Sequence, residues 1–210
     1  MVDHTTGEEQ EHPRNVLKES ARIARGAVTD LKELKAGDFD ALFVPGGFGA
    51  AKNLSDFGFK GADMTVEPDV QAVLEDFRNQ NKVIGLSCIA PILAAKVFGA
   101  NAQLTLGKSE GDSWPFAGSI DAAKSFGTST HECDIGEVCF HSQHKLVSFV
   151  AYMKGDTKPH EVVEDLTKLV MVGLDIDTDH PESLPCINFG ITTFDNISSA
   201  STTMFIIILG

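Results

Sequence analysis

The chain has 210 residues, with 17 basic against 30 acidic side chains and a formal charge of −13. That length usually means one domain or two small ones, and 42% hydrophobic with 22% charged content excludes wholesale disorder. An acidic surface repels phosphate backbones and anionic lipid, so neither nucleic acid nor a membrane is an expected partner. Four cysteines without tight spacing do not make a disulfide framework and point to a reducing compartment.

The polar, acidic N-terminus shows neither the apolar core of a signal peptide nor an Arg-rich transit stretch. Arg14–Gly26 predicts a helix whose inward stripe is Val16, Leu17, Ser20, Ile23, Ala24 and Ala27, with Gly26 as its terminating glycine. Leu31–Leu34 is ambiguous. Ala41–Val44 is a short apolar run ending at Pro45-Gly46-Gly47, as a buried parallel strand ends in a loop. Glu67–Gln80 predicts a helix with Pro68 in its first turn and Val70, Val73, Leu74 and Phe77 inward.

Lys82–Leu86 predicts a second buried strand, followed within three residues by an apolar helix at Ile89–Phe98. A short strand at Leu104–Leu106 and a helix at Ile120–Phe126 come next. Glu137–Phe140 and Lys145–Tyr152 predict a hairpin around His141–His144. Pro159–Leu174 predicts a helix with Val162, Val163, Leu166, Leu169 and Val170 inward. Strands alternating with helices define an α/β class with a mainly parallel sheet. The tail, 176–210, is rich in Ser and Thr and loses the helical period, so it is expected to be an extension outside the core. Its apolar run Met204–Leu209 has six residues, far short of the about 20 that cross a bilayer.

Three features carry chemistry. Gly85-Leu86-Ser87-Cys88-Ile89-Ala90-Pro91 runs from strand end through a sharp turn into a helix, the arrangement of a nucleophile elbow with sulfur as nucleophile. The helix N-terminus beyond it is expected to lower the thiol pKa. The structural alternative is a buried, inert cysteine. Pro45-Gly46-Gly47-Phe48-Gly49 can turn backbone N–H groups toward a bound atom and, if beside Cys88, supply an oxyanion hole. It lacks the third glycine of a dinucleotide fingerprint and any Gly-Lys-Ser/Thr, so no nucleotide cofactor is expected. His131-Glu132-Cys133, with Cys139 and His141, has side chains that suit zinc but no CxxC or HxxxH spacing, so no metal is expected. Proton transfer near Cys88 is the better role for His131. His12, His141, His144, His160 and His180 are expected on the surface, and Trp114 is expected to pack.

The runs at 41–57 and 83–97, with the upstream segment 14–26, resemble the class I glutamine amidotransferase-like superfamily. Within it they are most similar to the branch of mitochondrial glutamine amidotransferase-like class 1 domain proteins and bacterial enhancing-lycopene-biosynthesis, glyoxalase-like proteins, with PfpI-type peptidases as wider relatives. The resemblance covers about Val2 to Leu174 and implies a flavodoxin-like three-layer sandwich. It implies Cys88 as nucleophile, Gly46, Gly47 and the N–H of Ile89 as oxyanion donors, and His131 as a weaker carry-over. Residues 1–175 then form the family domain and 176–210 an atypical extension.

Family members begin with a strand-helix-strand unit of roughly fifty residues that carries a glutamate bonded to the elbow cysteine. The present chain is expected to lack that unit, and none of Glu8, Glu9 or Glu11 takes the glutamate's place. The resemblance also implies a mitochondrial location and a homodimer.

Three functions compete. The first is a cysteine-dependent glyoxalase or deglycase acting on small reactive aldehydes, with no cofactor. The second is a non-enzymatic family member that binds or senses redox state through Cys88. The third, glutamine amidotransfer, needs a paired His-Glu late in the domain, and 151–174 offers only His160-Glu161 at a helix start.

Overall fold

The computed structural model describes residue 6 and residues 14–175, 187–188 and 205–207. Helix α1 (Val16–Ile23) starts at Asn15, whose side chain accepts from the N–H of Lys18 at 3.0 Å. None of its residues is buried, and Ile23 is 72% exposed. The predicted stripe therefore covers no core among the described residues. Its period is right, but burial comes from a facing surface rather than from periodicity.

Strand β1 (Ala41–Val44) leads into short helices α2 (Phe48–Lys52) and α3 (Phe57–Lys60), then α4 (Pro68–Asn79). Helix α4 follows its pattern, with Pro68 in the first turn and Val70, Val73, Leu74 and Phe77 buried. Strand β2 (Val83–Ser87) pairs with β1 in parallel, from Ala41 with Val83 to Val44 with Leu86. Helix α5 (Pro91–Phe98) returns along the sheet and is followed by β3 (Gln103–Leu104), α6 (Gly118–Ser125) and β4 (Ser129–Thr130), with β3 and β4 forming a small parallel pair. The predicted hairpin is β5 (Glu137–His141) against β6 (Leu146–Phe149), joined by a single helical turn over Ser142–His144.

Helix α7 (Pro159–Asp175) follows, with short strands β7 (Ile187–Asn188) and β8 (Phe205–Ile207) beyond it. The main sheet has the order β7-β5-β6-β2-β1-β8. Strands β8, β1, β2 and β6 run parallel, and β5 is antiparallel to both neighbours. Of residues 176–210, those described are β7 and β8, and both lie in this sheet; the rest of that segment lies outside the described residues.

Side chains alternate across a strand, and here both faces are covered. Leu42, Val44, Ile84, Leu86 and Leu146 join the larger core with α4, α5 and α6. Ala41, Phe43, Val83, Val147 and Phe149 form a second core, against which Val162 of α7 packs. Two cores on one sheet make the predicted three-layer α/β sandwich.

The inward face of α7 differs from the predicted one. Val163 is 62% and Leu166 42% exposed, while Asp165 between them is 1% exposed. The Asp165 carboxylate accepts the N–H of Gly136 at 3.1 and 3.0 Å and lies 3.5 Å from Lys168. A buried polar anchor thus rotates the helix away from the face that hydrophobicity alone selects.

Candidate active site at the end of three parallel strands

The parallel register puts the C-terminal ends of β1, β2 and β6 side by side. Open α/β sheets bind ligands at that edge. β2 delivers Cys88 there, and the N–H of Cys88 donates to the carbonyl of Phe149 at 3.2 Å. Cys88 has φ 57°, a left-handed conformation that costs a non-glycine residue on the order of 1–3 kcal/mol. The turn closes where the N–H of Ala90 donates to Ser87 O at 3.0 Å, and Pro91 then opens α5. Cys88 thus stands in a left-handed turn between β2 and α5.

The glycine loop after β1 faces this turn. The Ser87 hydroxyl donates to Pro45 O at 2.7 Å and ties the two loops together. Gly46 has φ 86°, and a Cβ there would lie 2.3 Å from Ser87 O, 3.1 Å from Cys88 Cβ and 3.3 Å from Ala90 N. Its absent side chain is what lets the loops approach. Gly47, at φ 80° and ψ −178°, has open space where a Cβ would stand. Its need for glycine is purely conformational.

Two of the residues expected to supply backbone donors, Gly47 and Ile89, do turn their N–H groups toward the sulfur of Cys88; a third comes from Tyr152. Tyr152 was not foreseen from the sequence. It follows Ala151, whose φ of 43° turns the chain just past β6. The signal was the register itself, since a strand parallel to β2 must end beside the elbow. Gly46 serves as the spacer that brings the next residue into place.

Cys88 is half-buried and packs against both cores. Burial pushes its thiol above the ordinary value of 9.0, against the pull of the three N–H donors. The expectation of a lowered pKa is thereby corrected. The elbow interposes Ile89 and Ala90 before α5 begins at Pro91, while apolar walls desolvate the sulfur.

His131 follows β4. Its N–H donates to Leu104 O at 2.9 Å, and no hydrogen bond joins it to Cys88 among the described residues. Its charge acts instead on His141. His141 pairs with Leu146 and Leu146 with Ile84, four residues before Cys88. Four residues of strand span about 13 Å.

His141 and His144, expected on the surface, are half-buried and in contact, with ring centroids 5.1 Å apart. The antiparallel turn folds them back over the sheet end. His160 is exposed; His12 and His180 lie outside the described residues. Cys133 and Cys139 are buried, and no group of three or more metal-ligating side chains converges among the described residues. No helix among them is long and apolar enough to cross a membrane. Trp114 is buried as expected, with Gly107 and Gly111 shaped to its ring. Beside it Asp134 bridges Lys108 at 2.6 Å and Lys154 at 2.9 Å. Burial opposes ionisation of Asp134, but those two ammonium groups bring its pKa down to about 2.

A three-layer sandwich whose cysteine turn faces a glycine loop fits an amidotransferase-like class of protein. The comparisons with known proteins agree. The chain is 42% identical over 179 residues to the rat mitochondrial ES1 protein homolog and to the human mitochondrial glutamine amidotransferase-like class 1 domain-containing protein 3, covering 84% of this chain and 66% of each relative. It is 34% identical over 167 residues to the mitochondrial ES1 protein of zebrafish (Danio rerio), covering 75% of this chain and 62% of that one.

Among solved structures, an isoprenoid biosynthesis protein with an amidotransferase-like domain from Ehrlichia chaffeensis superposes with a TM-score of 0.72 at 27% identity, covering 85% of this chain and 78% of that one. No family model matches. The chain belongs to the glutamine amidotransferase-like class 1 family, and it spans about two thirds of the length of its rat and human relatives.

Proposed function

We propose that the chain is a cysteine-dependent, glyoxalase-like protein that acts on small reactive aldehydes. The observation that carries this reading is the N–H groups of Gly47, Ile89 and Tyr152 set around the sulfur of Cys88. A thiolate adding to an aldehyde carbon forms a C–S bond, and the carbonyl π pair becomes an alkoxide. That charge develops within reach of the same main-chain donors, which stabilise it without reorganisation. Protonation gives a thiohemiacetal. In a 2-oxoaldehyde, moving the hydrogen on the former aldehyde carbon to the neighbouring carbon, and the hydroxyl proton from the former aldehyde oxygen to the neighbouring oxygen, gives a 2-hydroxy thioester. Water then cleaves the C–S bond, releasing a 2-hydroxy acid and returning the thiol. One carbon is oxidised and its neighbour reduced, so no external oxidant or redox cofactor enters the balance.

The conformation at Cys88 supports the nucleophile assignment, because the left-handed turn carries the sulfur out of line with its strand. His131, the sequence candidate for moving the proton, is tested separately by His131→Ala. With the mitochondrial relatives as guide, we place the protein in the mitochondrion.

The test is incubation of the full chain with methylglyoxal and measurement of lactate. Wild type forms lactate, Cys88→Ala forms none, and His131→Ala slows formation while leaving alkylation of Cys88 unchanged. Absence of turnover by wild type, or equal turnover by Cys88→Ala, overturns the reading.

A further inference from the structure

Arg78, His141 and His144 gather at the end of the sheet opposite Cys88, within electrostatic range of His131. Arg78 ends α4, and its guanidinium lies 4.7 Å from the centroid of the Phe98 ring, which holds its plane. Its Nη2 is 3.5 Å from Nε2 of His144. His144 meets His141 edge to face at 5.1 Å. Nδ1 of His141 is buried and has no hydrogen-bond partner among the described residues. His131 approaches from the segment after β4, close enough for its charge to act on His141.

The electrostatics of this cluster are one-sided. Burial comes first in pushing His141 below the ordinary imidazole value, followed by repulsion from His144, Arg78 and His131. Burial and then Arg78 do the same to His144. No carboxylate is among the groups that shift either ring, although the chain carries 30 acidic side chains against 17 basic ones. Surface ion pairs occupy acidic groups elsewhere, including Asp56 with Lys60 and Asp134 with Lys108 and Lys154. Among the described residues, the cluster is therefore a local concentration of basic groups in an acidic chain.

We propose that Arg78 and His144, backed by His141 and His131, form a binding site for a phosphate group. Both contact residues are half-buried, so each keeps one side toward solvent, and the Phe98 ring backs Arg78. A guanidinium held over an aromatic ring presents its N–H fork in one plane, the geometry that pairs with two phosphate oxygens. The imidazole of His144 adds a further donor when protonated. A doubly charged oxyanion offsets Arg78 and one imidazolium together, whereas a carboxylate or chloride offsets only one. The site stands on different residues from the proposed chemistry at Cys88, and its success or failure does not depend on that chemistry.

The experiment is a titration of the full chain with inorganic phosphate, and separately with glycerol phosphate, at constant ionic strength set by sodium chloride. The imidazole Cε1–H signals are followed by NMR. Saturable shifts of His141 and His144 are expected, together with pKa values that rise on binding. Equal affinity for the two ligands identifies an isolated phosphate as sufficient; tighter binding of glycerol phosphate identifies a phosphate monoester as the ligand class. Arg78→Gln and His144→Gln are each expected to weaken binding about tenfold, the loss of one charge-assisted hydrogen bond. Wild-type spectra and His144→Gln carry the test if Arg78→Gln fails to fold. Shifts that do not saturate, shifts reproduced by chloride alone, or unchanged affinity in the folded variants overturn the proposal.

Discussion

Gly46→Ala is the sharpest probe of the site's construction. The added methyl would stand 2.3 Å from Ser87 O, a backbone atom fixed by β2 and unable to swing aside. It would also stand 3.1 Å from Cys88 Cβ and 3.3 Å from Ala90 N. Forcing a methyl into packed structure costs about 1–3 kcal/mol, and placing alanine at the observed φ of 86° adds about 1–2 kcal/mol. The sum is about 2–5 kcal/mol, and at about 2–4 °C per kcal/mol the melting temperature falls by roughly 4–20 °C. Gly47→Ala meets no atom within 4 Å and bears only the conformational cost, about 1–3 kcal/mol. Urea and thermal melts of the two variants, with the rate of Cys88 alkylation, separate steric from conformational effects. A Gly46→Ala variant within about 0.5 kcal/mol of wild type would refute the close-approach argument. So would one no less stable than Gly47→Ala.

Alkylation of Cys88 by iodoacetamide is expected to rise about tenfold per pH unit between about pH 7 and 9, because only the thiolate reacts and burial holds the pKa above its ordinary value. A plateau near neutral pH, after subtraction of the Cys88→Ala background, contradicts that. Asp165→Ala should cost about 1–3 kcal/mol in a urea melt, since it leaves the half-buried N–H of Gly136 without its acceptor; a variant as stable as wild type shows that water replaces the carboxylate. His141 and His144 titrate below 6.5 in the folded chain, so the unfolded chain takes up their protons first as pH falls. Their contribution to stability is whole above about 6.5 and is lost as pH falls from there through the folded values. In phosphate-free buffer a His141→Gln, His144→Gln double variant should lose stability less steeply than wild type over that window, and parallel curves would count against the pair.

Much of this fold was legible because parallel strands and their helices write continuous apolar runs and regular stripes. Ala41–Val44, the buried face of α4 and the β5–β6 hairpin were placed by that logic. It failed where burial depends on a partner surface that the local sequence does not encode. Helix α1 has a stripe and buries nothing, and α7 turns inward on Asp165 in place of Val163 and Leu166. The elbow and the glycine loop could be found because both break pattern at a strand end. The N–H of Tyr152 could not, since nothing about a tyrosine announces that its main chain faces a sulfur 64 positions earlier in the sequence. His141 illustrates the same gap, being read as a surface residue when the fold half-buries it against His144.

All three donors around Cys88 belong to the main chain, one from the end of each of three neighbouring strands. Among the coded amino acids only proline lacks the N–H, so substitutions at 89 and 152 that preserve the backbone leave the donor set intact. The exposed side chain of Tyr152 is thus free to vary in size and polarity, whereas Ile89 is held to apolar replacements by its packing against the core. Position 152, whose side chain is exposed, is where a library could reshape what reaches Cys88 without removing a donor from around its sulfur.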